Sequence, residues 1–370
     1  MFKGMMVLLQ DEDYMYEALR LAKHAAGRTS PNPLVGAVIV REGRIIASGW
    51  HRQAGTAHAE IHALQMAGEL ARGAVLYVTL EPCSHYGRTG PCAKAIVAAG
   101  LRRVVIAMQD PNPLVAGKGI AILQAAGIEV VCGVLESEAR RLNEVFLKWI
   151  TTKMPFTVLK MAMSLDGKIA DADGASEWIT NADSRQAVHG LRDQYDGILT
   201  GIGTVLADDP QLTARLPEGN GHNPLRIVAD SRARIPLDAR LLTDGQAKTL
   251  LAVTQAASAE KVAALRAIGA KVVCVNEGPE VDLHKLFQYL GQHEVTSLLA
   301  EGGGEMSFSL LKAGLVDKVF AFIAPKIIGG RKALTPVEGS GFPLAEAVQL
   351  TDTHWENFNG DLCITGYIRK

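Results

Sequence analysis

Five cysteines in 370 residues are too few, and an odd number, for a disulfide framework. Reduced thiols and a cytoplasmic location are therefore expected. Neither sign of charge is in excess: 38 Lys and Arg stand against 39 Asp and Glu, a net charge of −1. A chain that grips nucleic acid by neutralising phosphates carries a broad basic surplus, and none exists here. Long apolar runs are also missing. "MFKGMMVLLQDEDY" offers only Met5 to Leu9 before acidic residues, too short for the apolar core of a signal peptide. No later stretch approaches a membrane span.

What is present is a globular composition, 48% hydrophobic and 21% charged. The length makes two domains the default. From residue 13 to 150 helical and extended patterns alternate. "YMYEALRLAKHA" is helix-periodic, and "VGAVIV" and "RIIASGW" read as strands joined at Glu42-Gly43. A helix over 59–70, the strand "AVLYVTL", a helix ending at Gly100, the strand "RRVVIAM", a helix ending at Gly127, the strand "IEVVCGV" and a helix over 137–150 complete the series. Such alternation predicts a sheet with helices on its faces. A polar stretch running into Pro155 suggests a linker, dividing the chain into residues 1–153 and 154–370. The second part repeats the α/β pattern, with strands expected at "FTVLKMAM", "DGILTG", "PLRIVAD", "TLLAVT", "KVVCV", "SLLAE" and "KVFAFIAPKI". Helices are expected over 181–193, 258–268, 283–290 and 304–313.

Two features carry chemistry. In "TAHAEIHALQMAGEL", His58 and Glu60 sit where an apolar helix begins, and downstream "EPCSHYGRTGPC" holds two Pro-Cys pairs. With 15 prolines and 5 cysteines, chance placement gives about 0.2 such pairs in the whole chain. One imidazole and two thiolates, His58, Cys83 and Cys92, suit a tetrahedral zinc ion with one position left open for water. Glu60, two residues from His58, can lie beside that water and move its proton. Taken singly, a His-x-Glu at a helix start is usually a solvated first turn, and a lone cysteine a small hydrophobe. The latter reading is applied to Cys132, Cys274 and Cys363, and His62 is read as packing. A closed structural zinc site, with His85 as fourth ligand, would leave Glu60 without a task.

His58-Ala59-Glu60 with Pro82-Cys83 and Cys92 resembles the zinc-dependent nucleobase deaminase signature, in which Glu is the proton shuttle. Its commonest form has two residues between the cysteines, whereas here there are eight. That spacing, with "SPNPLVGAVIV" and "MQDPNPLVAGKG", resembles the deaminase half of the bifunctional riboflavin-biosynthesis deaminase/reductases. "LKMAMSLDGKIA", "SEWITNADSR", "LTGIGTVLADDPQLTAR", "IVADSRARIP" and "EGGGEMSFSLL" resemble the reductase half of the same family. The resemblance implies a cytidine-deaminase-like α/β/α domain followed by a dihydrofolate-reductase-like α/β domain. It also implies one zinc ion, NADPH, and a diamino-pyrimidinone ribosylamino 5′-phosphate as small-molecule substrate.

By the same resemblance, Asn32, His51, His85 and Arg88 hold base or phosphate in the first domain. In the second, Ala162, Trp178, Thr204, Asp208, Ser231 and the segment Gly303, Gly304, Glu305, Met306, Ser307, Phe308 and Ser309 bind NADPH. Ser176, Arg192, Leu212, Arg215 and Glu301 bind substrate, with Lys160 as a further phosphate or proton-handling candidate. Arg232 or Arg234 in "DSRARIP" is a candidate for the cofactor 2′-phosphate. "GIGTVL" lacks the last glycine of a dinucleotide fingerprint, so a Rossmann fold is not expected. Two alternatives remain at this point: a deaminase of another base with an accessory domain, and a structural zinc module on a binding protein. A homo-oligomer is expected.

Overall fold

The computed structural model describes residues 10–84, 90–112, 115–219 and 221–369. The chain divides into two compact units, Met1–Lys153 and Met154–Lys370. Among the described residues no helix is long and apolar enough to cross a membrane.

The first unit is built on β1 (Gly36–Arg41), β2 (Arg44–Trp50), β3 (Val75–Val78), β4 (Arg103–Ile106) and β5 (Glu129–Cys132), in the sheet order β2-β1-β3-β4-β5. β1 runs antiparallel to β2 and β3, while β3, β4 and β5 are parallel. β3 is buried at every position and β1 at all but its last. Strands covered on both faces require a helix layer on each side, the α/β/α arrangement. Two glycines let the helices approach. A Cβ on Gly36 would fall 1.9 Å from the Ala18 carbonyl oxygen, so the helix Asp11–Ala22 packs directly on β1. A Cβ on Gly49 would fall 2.5 Å from the Ala59 carbonyl oxygen, which lets the helix Ala59–Ala67 lie against β2. That helix carries Glu60, and His58 is its N-cap residue.

The single helix expected over 137–150 is two helices, Glu136–Leu142 and Glu144–Thr152. The break falls at buried Asn143, whose side chain accepts from the Leu34 amide at 2.8 Å and donates to the Leu34 carbonyl at 3.0 Å. A side chain committed to a distant backbone in this way competes with helix continuation.

Among the described residues the second unit has nine strands. They are β6 (Phe156–Ser164), β7 (Gly197–Gly201), β8 (Leu225–Ala229), β9 (Thr249–Thr254), β10 (Lys271–Asn276), β11 (Ser297–Ala300), β12 (Lys318–Ala324), β13 (Leu350–Phe358) and β14 (Asp361–Ile368). Their order is β10-β9-β8-β7-β11-β6-β12-β14-β13. All are parallel from β10 to β12, and β14 and β13 add an antiparallel edge. Leu159, Leu199, Ile227, Phe287 and Leu298 form the core of this unit. In an open parallel sheet, ligands bind beyond the carboxyl ends of the strands, here beyond β6, β7 and β11.

Three features depart from expectation. The hairpin of β13 and β14 turns at Asn359-Gly360, both at positive φ, the pairing favoured in tight hairpin turns. β13 is almost wholly exposed, so it lacks the apolar alternation that marks a half-buried strand. "GIGTVLAD" holds a short helix, Ile202–Asp208. Finally, Cys132 and Cys274 are exposed rather than buried as small hydrophobes, because they lie on the outer strands β5 and β10; Cys363 is buried as expected.

Candidate active sites

In the first unit the His58 Nδ1 and the Cys83 and Cys92 sulfurs lie within 4.8 Å of one another. His58 Nδ1 is 3.2 Å from Cys92 Sγ and 3.6 Å from Cys83 Sγ. Cys92 opens the helix Cys92–Ala99, and its amide donates to the Cys83 sulfur at 3.3 Å. The Cys83 thiol is pulled down to about 4, first by its hydrogen bond with the Cys92 thiol and then by His58, against burial. The same bond pushes Cys92 up. His58 is raised, chiefly by its bond to Cys83. One nitrogen and two sulfurs sharing protons at this spacing match the donor set of a three-ligand zinc site. Glu60 is only 3% exposed. Burial pushes its carboxyl up to about 7, against the nearby His58.

A cavity of about 270 Å³ opens onto His58, Glu60 and Cys83. Asn32 and His51 also line it. The Asn32 amide nitrogen lies 3.0 Å from His51 Nε2, and His51 Nδ1 lies 3.2 Å from the Ala57 carbonyl. Buried His51 is held below its ordinary pKa, by burial first. It is therefore neutral, accepting from Asn32 at Nε2 and donating from Nδ1 to Ala57. His85 and Arg88 lie outside the described residues. His62 packs beside Gly49 and takes no part in the cluster.

Sequence reasoning missed Glu81. Its buried carboxylate accepts from the amides of Asp110 (3.3 Å), Gly117 (3.0 Å), Gly119 (2.9 Å) and Ile120 (3.3 Å). It thereby ties the residues just before Cys83 to the loop that leads into the helix Lys118–Ala125. Gly119 must be glycine, since a Cβ there would fall 2.0 Å from the Pro82 carbonyl oxygen. The available signal was an acid at the end of an otherwise apolar strand, directly before Pro82-Cys83.

The second unit contains a cavity of about 700 Å³ beyond the carboxyl ends of its parallel strands. Of the expected cofactor residues, Ala162, Trp178, Thr204, Asp208 and Gly303 line it; of the expected substrate residues, Ser176, Lys160, Arg192, Leu212, Arg215 and Glu301 do. Ser231 and residues 304–309 do not. Ser231 instead accepts from the Val281 amide at 3.2 Å. Buried Phe308 packs on Phe342, and a Cβ on Gly304 would clash with Thr335 and Glu338. Arg232 and Arg234 are exposed.

Glu301 is the electrostatic hinge of the cavity. Its two oxygens meet Arg192 Nε at 2.7 Å and Nη2 at 2.9 Å, and Lys160 Nζ lies 3.1 Å away. Burial alone would raise its pKa, yet Arg192 and Lys160 together hold it well below the usual carboxylate range. Five cationic side chains line the cavity (Lys160, Arg185, Arg192, Arg215 and Arg240) against three acids (Glu177, Asp208 and Glu301). Arg215 donates to neutral oxygens of Gln211 and Thr213, at 3.1 and 2.9 Å. Arg185 covers the exposed Trp178 ring at 4.5 Å. The Gly303 amide donates to Thr204 at 3.1 Å. A roomy, cationic cavity with an aromatic wall suits large anionic ligands.

Comparison with known proteins agrees with this arrangement. Residues 8–108 match the cytidine and deoxycytidylate deaminase zinc-binding region, and residues 155–364 match the RibD C-terminal domain. The riboflavin biosynthesis protein RibD of Actinobacillus pleuropneumoniae is 45% identical over 344 residues, 92% of this chain and 91% of its own. The solved structure of Acinetobacter baumannii RibD (form 1) superposes with a TM-score of 0.88 at 38% identity, covering 97% of this chain and 99% of that one. A Thermotoga maritima diaminohydroxyphosphoribosylaminopyrimidine deaminase/5-amino-6-(5-phosphoribosylamino)uracil reductase gives a TM-score of 0.85 at 35% identity, with the same coverage. The chain therefore belongs to the RibD family, the zinc- and NADPH-dependent deaminase/reductases of riboflavin biosynthesis.

Proposed function

We propose that residues 1–153 deaminate 2,5-diamino-6-ribosylamino-4(3H)-pyrimidinone 5′-phosphate. Residues 154–370 then reduce the ribosyl group, giving 5-amino-6-ribitylaminouracil 5′-phosphate. The observation that carries the reading is the convergence of His58, Cys83 and Cys92 beside a buried Glu60 in a cavity.

In this reading His58, Cys83 and Cys92 would hold zinc, which would supply the Lewis acidity needed to activate a water molecule. Glu60 accepts that water's proton and returns it to the departing ring amine, so that water enters and ammonia leaves. A carboxyl raised by burial to about 7 is suited to both transfers. Neutral His51, its two ring nitrogens taken by Asn32 and the Ala57 carbonyl, orients the Asn32 amide towards the ring. Glu81 and Gly119 keep Pro82 and Cys83 in place.

NADPH held in the second cavity would supply hydride chemistry for reducing C1′ of the open imine form, whose nitrogen would take up a proton. Glu301 fixes Arg192 and Lys160, and Arg215, which has no carboxylate ion pair among the described residues, is left for the sugar phosphate. Trp178, Thr204 and the Gly303 amide border the space for the cofactor. Five free cysteines support a cytoplasmic setting, and the near-zero net charge speaks against nucleic acid. The exposed edge strand β13, with Trp355 on its surface, supports assembly with further copies.

Ammonia release and NADPH oxidation, followed together for wild type and Glu60→Ala, test the scheme. Wild type should do both, and the variant neither until given the deaminated intermediate. NADPH oxidation by the variant without that intermediate would reverse the order of steps.

A further inference from the structure

His189 lines the second cavity one helical turn before Arg192, on the helix Ala182–Gln194. Its Nδ1 faces two backbone groups of opposite character, the Thr213 carbonyl at 3.1 Å and the Arg215 amide at 3.3 Å. One ring nitrogen serves only one of them at a time. Unprotonated, it accepts from the Arg215 N–H; protonated, it donates to the Thr213 oxygen. Arg192 Nη1 also donates to that oxygen, at 3.2 Å. The imidazole thus clasps the short segment that presents Arg215, and the presence of a proton on Nδ1 selects the partner.

Resting on the reading of this cavity as a sugar-phosphate site, we propose that His189 is the third cationic member of the anion site. It takes up a proton from solvent when a phosphate group settles against Arg192 and Arg215.

The charges around the ring set the direction. Arg192 on the same helix and Arg215 on the neighbouring segment oppose a third positive charge. Glu301 at the end of β11 favours one, but its charge is shared with Arg192 and with Lys160 of β6. Burial comes first, and with the two arginines it lowers the imidazole to about 4. A dianion placed against the arginines reverses their effect and makes the imidazolium the favoured form. By reciprocity, each unit by which the anion raises the histidine pKa is a tenfold gain in anion affinity for the protonated site. His189 acts on Arg215 and on the field of the site rather than on the reacting carbon, so it is a positioning residue.

The test follows the imidazole C–H resonances of the full-length, zinc-loaded protein carrying isotope-labelled histidine. The pH runs from about 5 to 8, bracketing the ordinary histidine pKa, with and without ribose 5-phosphate. His189→Gln identifies the signal. Without the probe the His189 resonance should not titrate in this range; with it, a titration should appear, displaced upwards by at least a unit. In His189→Gln, probe affinity should lose its rise towards acid pH. Titration near the ordinary value in the free protein would overturn the inference. So would probe binding, seen as shifts of the Trp178 indole, that leaves His189 untitrated. No binding of ribose 5-phosphate at all would remove the sugar-phosphate reading of the cavity, and this inference with it.

Discussion

Replacing Glu301 by Gln keeps the shape of the side chain and removes one buried negative charge. Arg192 then loses a bidentate partner, and Lys160 loses its counter-ion at 3.1 Å. Breaking a buried pair by removing one member costs about 3–5 kcal/mol, because the remaining charge stays desolvated. The Gln oxygen recovers one hydrogen bond, so about 3 kcal/mol is expected. For a unit of this size that lowers Tm by about 6–12 °C. Calorimetry of the full chain should show the transition of the second unit moving by that amount while the first stays in place. NADPH oxidation should be lost, and ammonia release kept. The acid limb adds a second readout. The folded-state pKa of Glu301 is depressed, so its stabilisation is complete above the unfolded carboxylate value and is lost as pH falls below about 4.3 towards the folded value. Glu301→Gln should therefore flatten the stability loss in that acid range. A Tm shift below about 2 °C together with retained reduction would refute the argument that this carboxylate organises the cavity.

Glu60→Gln should bind zinc as wild type does and lose ammonia release by about 10²–10⁴-fold, while reducing the deaminated intermediate at the normal rate; weakened zinc binding would show a structural role instead. Stripping zinc with a chelator should abolish ammonia release and leave reduction of that intermediate intact. Gly119→Ala forces its new methyl against the Pro82 carbonyl, so chelator competition should show zinc affinity weakened by about 10–100-fold; unchanged affinity would mean that Pro82 yields without moving Cys83. In Glu81→Gln one carboxylate oxygen becomes a donor, at a cost of about 1–3 kcal/mol. Hydrogen exchange at Gly117, Gly119 and Ile120 should accelerate, and equal protection would disprove the anchoring role.

Much of the fold was readable because strands buried on both faces, such as β1 and β3, spell continuous apolar runs, and helices stop at Gly100 and shortly before Gly127. The β13 and β14 hairpin was not, because the solvent-facing "TDTHWEN" has no buried face to write its period into the sequence. Asn143 was missed for a different reason. It looks like an ordinary helical polar residue until Leu34, 109 positions earlier, is known to lie beside it. The metal cluster was legible because its chemistry restricts residue types at short spacing. Glu81 and His189 work through backbone amides and carbonyls, which any sequence supplies, so nothing in the chain marks their partners. Of the segment 303–309, Gly303 meets the cavity, while Gly304 packs against Thr335 and Glu338 and Phe308 against Phe342.

The Asn143 clamp has a consequence for where a working deaminase can be cut. The helix that starts just after it, Glu144–Thr152, brings Phe146, Trp149 and Ile150 to the wall of the first cavity, opposite chain that begins at Pro31. The zinc-binding region recognisable by similarity ends at residue 108, so the recognisable motif and the enclosed reaction chamber are different lengths of polypeptide. During synthesis the last metal ligand, Cys92, emerges well before that wall. A fragment trimmed to the motif would lack both that wall and the Gly117, Gly119 and Ile120 amides that hold Glu81 beside Cys83.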